Sequence, residues 1–145
     1  WFGEGSLLKR EPRRYDAVAL SGVTVARLPQ ATFEWLLDGS IAFNRYLLLH
    51  LNERLSQFIG MVEHERLLDP DARMARCIAH LFNPVLYPGL GERLEISQAE
   101  LAQLAGVSRQ RANRSLQALE RAGVVAVGYG SIRVLDTEGL RRFGT

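Results

Sequence analysis

The stretch Ser97-Gln98-Ala99-Glu100-Leu101-Ala102-Gln103-Leu104-Ala105-Gly106-Val107-Ser108-Arg109-Gln110-Arg111-Ala112-Asn113-Arg114-Ser115-Leu116-Gln117-Ala118-Leu119-Glu120-Arg121-Ala122-Gly123 decides the fold. Ser97 with Glu100 three residues later is a capping box, so a helix starts there. It continues through Leu101, Ala102, Leu104 and Ala105 until Gly106 permits a tight turn. Val107 is placed to plug the core beneath that turn, and Ser108 caps a second helix. At 3.6 residues per turn, Ala112, Leu116 and Leu119 share one face of the second helix. Gln110, Arg114, Gln117 and Arg121 project on the opposite side, with Arg109 at the N-terminal tip.

Such a helix suits a DNA major groove. Arginine pairs bidentately with guanine O6 and N7, and glutamine with adenine N6 and N7. The capping serines and the free N–H groups at both helix starts suit phosphates. Taken alone, the pattern also fits an arginine-rich helix that is merely solvated. The residues after the second helix decide between the two. Ala122-Gly123 ends the helix, and Val124–Val127 and Ser131–Leu135 read as strands around Gly128-Tyr129-Gly130. Helix, turn, helix and hairpin is the winged helix order. Asp136 or Thr137 then caps a last short helix ending at Arg141-Arg142, and Leu94-Glu95-Ile96 reads as a short strand before Ser97.

Working outward, Asp69-Pro70 caps and opens a helix from Ala72 to Leu81 that buries Met74, Ile78 and Leu81. A loop rich in breakers comes next, from Asn83-Pro84 to Gly91. Upstream, Ser40 caps a long helix from Ile41 to about Leu68. Leu48, Leu51, Leu55, Phe58 and Val62 recur at alternating spacings of three and four residues, the seam of a coiled coil. That stripe suits a second copy of the helix or a neighbouring β domain, and the dimer is the reading adopted. Ala17–Leu20 and Val23–Leu28 are expected to form a hairpin turned at Ser21-Gly22, and Ala31–Leu37 a short helix. Residues 1–40 are therefore read as the end of a β-rich domain whose earlier strands lie outside the chain. Three segments result: 1–40, the dimerisation helix 41–68, and the DNA-binding part 69–145.

The 145 residues are 47% hydrophobic and 23% charged, an ordinary globular composition. The net charge of +2 signals nothing alone, but its distribution does. From Ser97 onward seven arginines face four acids, giving +3 and leaving −1 for the first 96 residues. No apolar run reaches the roughly 20 residues of a membrane span. Cys77 is the one cysteine, so no disulfide forms within the chain, and it reads as a structural thiol in a cytoplasmic protein. His50 and His64 lack partners at metal-ligand spacing and read as structural or surface residues; no metal site is expected. No catalytic triad, phosphate loop or carboxylate pair is legible, so no enzyme is expected.

The run Ile96–Arg114 resembles the helix-turn-helix of the cyclic-AMP receptor protein/fumarate–nitrate regulator (Crp/Fnr) family. Phe2-Gly3-Glu4, Leu28-Pro29, the long helix and Leu68-Asp69 extend the resemblance over essentially the whole chain. It implies an α+β architecture: the end of a β-roll of cyclic-nucleotide-binding type, a dimerisation helix and a winged helix-turn-helix. It implies base reading by Arg109 and Arg114, with Gln110 between them where the founding member has Glu, and phosphate contacts by the Ser97 and Ser108 hydroxyls. Gln98, Arg111, Asn113 and Tyr129 are expected as further phosphate-contacting or supporting residues. Double-stranded DNA and a second copy are the expected partners, with RNA polymerase a further candidate.

The resemblance also places Glu4 and Arg14 on the family's ribose and cyclic-phosphate positions. Tyr15-Asp16 stands where a small hydroxyl residue and Ala are usual, and Phe58-Ile59 replaces the hydroxyl pair that touches adenine. A cyclic nucleotide is therefore disfavoured as effector, and no cofactor is evident. Two rival readings remain beside sequence-specific DNA binding: a winged-helix module that binds protein, and an effector-sensing module that has lost DNA binding.

Overall fold

The computed structural model describes residues 1–19, 22–67 and 69–144. These fall into two compact units, Trp1–Asn52 and Glu53–Thr145, which divide within one helix.

In the first unit, α1 (Glu4–Lys9) and α2 (Gln30–Gly39) precede the opening turns of α3 (Ile41–Leu67). Ser40 begins α3 as its sequence suggests, accepting from the Phe43 N–H at 3.2 Å. Phe33 and Leu47 are buried, and the Phe33 ring meets Phe43 edge-on at 5.6 Å. Trp1 adds two similar contacts, to Phe43 at 6.1 Å and Tyr46 at 6.0 Å. Among the described residues, the contacts between the elements of this unit include these aromatic edges, and no strand is present.

One expectation for this segment, the hairpin, is corrected. No strand forms in 17–19 or 22–28, where Val18, Val23 and Val25 are exposed; the end of a β-roll is not seen among the described residues. A two-stranded hairpin is marginal in water without a third strand or a packed face, and the described part of this segment has neither. Leu20 and the turn residue Ser21 lie outside the described residues. Conversely α1 is not announced by the sequence; it starts after Gly3 at φ 92° and ends at Arg10 at φ 55°.

In the second unit, α4 (Pro70–Leu81) is capped by Asp69, whose carboxylate accepts from the N–H groups of Asp71 at 2.7 Å and Ala72 at 3.1 Å. The expected boundary at Leu68/Asp69 falls on Leu68, outside the described residues. The later turns of α3 are held to α4 and the loop after it: Gln57 Nε2 donates to the His80 carbonyl at 2.8 Å, and Asn83 Nδ2 to Glu53 Oε2 at 3.1 Å.

β1 (Arg93–Glu95) leads into α5 (Gln98–Leu104) and α6 (Arg109–Arg121), then β2 (Val125–Gly128), β3 (Ser131–Val134) and α7 (Thr137–Arg142). The three strands form one antiparallel sheet in the order β1-β3-β2, with Ile132 opposite both Leu94 and Val127. Met74, Ile78, Leu101, Leu116, Leu119, Val125, Ile132 and Leu140 make the core. Each such side chain fully buried contributes roughly 1.5–3 kcal/mol. Buried Arg76 reaches through to donate to the Leu140 carbonyl at 3.2 Å, which satisfies a carbonyl in the last turn of α7.

Candidate nucleic-acid interface

The turn between α5 and α6 is built locally. Ser97 Oγ accepts from the Glu100 N–H at 3.2 Å while Glu100 Oε2 accepts from the Ser97 N–H at 2.7 Å. That short bond to the backbone N–H holds the Glu100 carboxyl below its ordinary range. Gly106 sits at φ 62°, a left-handed conformation that suits glycine. The Val107 N–H then closes on the Ala102 carbonyl at 2.9 Å, and its side chain packs on the core. Ser108 Oγ caps α6 by accepting from the Arg111 N–H at 3.2 Å.

Two faces result on α6. Ala112, Ser115, Leu116 and Leu119 are buried. Arg109, Gln110, Arg114, Gln117 and Arg121 are exposed, and among the described residues none of the five side chains has a hydrogen bond or ion pair. The donors that sequence assigns to base reading are thus brought together and left uncommitted. Tyr129, at the tip of the β2–β3 hairpin, is fully exposed. Ser97 and Ser108 use an oxygen lone pair in capping, so their hydroxyl hydrogens remain available to an anion.

Three of the residues expected to contact phosphate or to support the helix make bonds within the protein. Gln98 and Asn113 bond to each other at 3.1 Å, which joins α5 to α6. Arg111 is committed inward, its Nη2 donating to Asp71 Oδ1 at 2.8 Å. Asp71 is not singled out by any motif in the sequence.

Residues 72–143 match the Crp-like helix-turn-helix domain family. The chain belongs to the Crp/Fnr family. Over 135 residues it is 33% identical to the cyclic AMP receptor protein of Thermus thermophilus, covering 93% of this chain and 61% of that protein. Over 143 residues it is 29% identical to the HTH-type transcriptional regulator Cmr of Mycobacterium tuberculosis, covering 96% of this chain and 54% of that one. The chain therefore spans about half to two thirds of the length of these relatives. A solved CRP/FNR-family transcriptional regulator from Thermus thermophilus superposes with a TM-score of 0.52 at 28% identity, covering 65% of this chain and 50% of that one.

The two residues placed on the Crp/Fnr effector positions, Glu4 and Arg14, stand in different surroundings in the first unit. Glu4 is buried, whereas Arg14 is exposed and pairs with Glu11 at 2.9 Å. The guanidinium beside Gly3 belongs instead to Arg13, 3.0 Å from where a Cβ on Gly3 would stand and 5.7 Å from the centre of the Phe2 ring. His50 is buried against the Tyr46 ring at 4.2 Å, and the His64 side chain lies outside the described residues. Phe58 and Ile59 are exposed on α3. In the second unit, Cys77 lines a cleft of about 200 Å³ with Met61, Leu81, Tyr87 and Leu104. Burial pushes its thiol up to about 11, which keeps it protonated and unreactive at ordinary pH. Among the described residues there is no cluster of three metal-binding side chains and no helix long and apolar enough to cross a membrane.

Proposed function

We propose that this Crp/Fnr chain is the DNA-reading part of a cytoplasmic transcription regulator that binds as a homodimer to an inverted repeat. The observation that carries the reading is the two-sided α6: its back is locked in the core, while Arg109, Gln110 and Arg114 face outward without internal partners. The β2–β3 hairpin acts as the wing of a winged helix-turn-helix, with Tyr129 at its tip against the phosphate backbone. Leu48, Leu51, Leu55, Phe58 and Val62 form the dimer seam. All five are exposed, from 37% at Leu51 to 66% at Leu48, and an apolar row that long is characteristic of a contact surface. A two-fold axis through α3 relates two copies of α6, so the half-sites lie about one helical turn apart, roughly 34–36 Å.

Selection from random duplexes followed by gel shift tests this. An inverted repeat supports it; a single asymmetric half-site or a direct repeat contradicts the dimeric geometry. Retention of no duplex favours a module that binds protein. The effector is not cyclic AMP held in the family's usual way, because Asp16 and Tyr15 stand beside Arg14 and Phe58-Ile59 lack hydroxyls. Calorimetry with the full-length protein should show weak binding or none; micromolar affinity overturns this part.

A further inference from the structure

Asp71 Oδ1 accepts two hydrogen bonds from α6: from Arg111 Nη2 at 2.8 Å and from Ser115 Oγ at 2.6 Å. Ser115 is completely buried, and the Arg111 Nε beside this contact is buried without a partner, so loss of Asp71 leaves a partly exposed guanidinium with no protein partner among the described residues. Asp71 itself is held rigidly. It lies in the first turn of α4, its N–H donates to Asp69 Oδ1 at 2.7 Å, and Pro70 precedes it with a fixed φ.

The place of these bonds on α6 gives them meaning. At 3.6 residues per turn, Arg111 and Ser115 lie along one border between the buried back and the exposed front. Asn113, bonded to Gln98, lies along the other border. The two links therefore fix the roll of α6 about its own axis. At a side-chain radius of about 5–6 Å, a roll of about 10° moves the tips on the front by about 1 Å. A bidentate hydrogen bond to a base edge does not survive much more than that.

We propose that Asp71 is a positioning residue for base reading: from the segment after α3 it sets the roll of α6, through Arg111 and Ser115, without touching DNA. The proposal rests on the assignment of α6 as the DNA-reading helix. Arg111 is then an internal strut instead of a phosphate contact, and displacement of the α4 start is passed directly to Gln110 and Arg114.

The experiment is fluorescence anisotropy on the whole chain, with the duplex that the wild type selects and with random duplex. It is run at a temperature where melting curves show each variant folded. Asp71→Asn and Arg111→Gln should each weaken binding to the selected duplex about tenfold or more. Random-duplex binding and the slope of log affinity against log salt should not change. The double variant should be no weaker than the weaker single one. Ser115→Ala, a milder change that retains the ion pair, should show the same selective loss at smaller size, and it serves if Asp71→Asn does not fold. Wild-type affinity in folded Asp71→Asn or Ser115→Ala would reduce the bonds to fold stability alone and overturn the proposal. Equal losses for Arg111→Gln on both duplexes, with a salt slope smaller by about one, would make Arg111 a phosphate contact and also overturn it. A wild-type chain that selects no duplex would overturn the DNA-reading assignment, and the proposal with it.

Discussion

Gln98 Oε1 accepts from Asn113 Nδ2 at 3.1 Å, a side-chain bond across the turn between α5 and α6. Both residues are half-buried, so each amide is left poorly satisfied when the other is removed. Gln98→Ala and Asn113→Ala should each cost about 0.5–1.5 kcal/mol in urea unfolding. The double variant should cost clearly less than their sum. Strict additivity would mean that the bond contributes nothing in solution.

Arg114 projects from the exposed front of α6 with no internal partner. Arg114→Ala should weaken binding to the selected duplex by about 1–3 kcal/mol and relax preference at one base pair per half-site. Competition assays with single-pair variants check this. Equal loss on selected and random DNA would show that it contacts phosphate.

Leu55 lies at the middle of the seam on α3 and is exposed. Leu55→Asp would place facing carboxylates in an apolar layer, and sedimentation should then show monomers. If the variant remains a dimer, the contact surface lies elsewhere.

The Glu100 carboxyl is held below its ordinary value by its bond to the Ser97 N–H. A depressed carboxyl stabilises the fold above the unfolded value, about 4.3. That contribution is lost as pH falls through the folded value. The melting-temperature advantage of the wild type over Glu100→Gln should therefore be present at pH 7 and shrink below about pH 4. A pH-independent difference would assign the effect to something other than charge.

The range of the forces involved separates what sequence reveals from what it hides. The α5–α6 turn is legible because its signals are local: the Ser97–Glu100 box, Gly106 and the Ser108 cap act within four residues of where they stand. The Ile41 and Pro70 helix starts are readable for the same reason. Residues 17–19 and 22–28 mislead because valines report a strand's preference, whereas a strand also needs a partner that supplies hydrogen bonds. The inward bond of Arg111 is hidden from sequence for a related reason. Its partner Asp71 is 40 residues away, and nothing in the helix period distinguishes an arginine that faces solvent from one at the border that turns inward. The α1 helix, too short to show a period, has no local signal strong enough to announce it.

The division of labour on α6 has a consequence for engineering. Ala112, Leu116 and Leu119 hold the helix in place, while Arg109, Gln110, Arg114 and Gln117 are exposed and make no side-chain hydrogen bond or ion pair among the described residues. By exposure and the lack of polar partners among the described residues, these four positions are candidates for a replaceable cassette. Randomising them with residues other than proline and glycine should keep most clones within about 0.5 kcal/mol of the parent's stability. A library built there would search binding preferences almost free of the losses to misfolding that accompany mutation elsewhere in the unit.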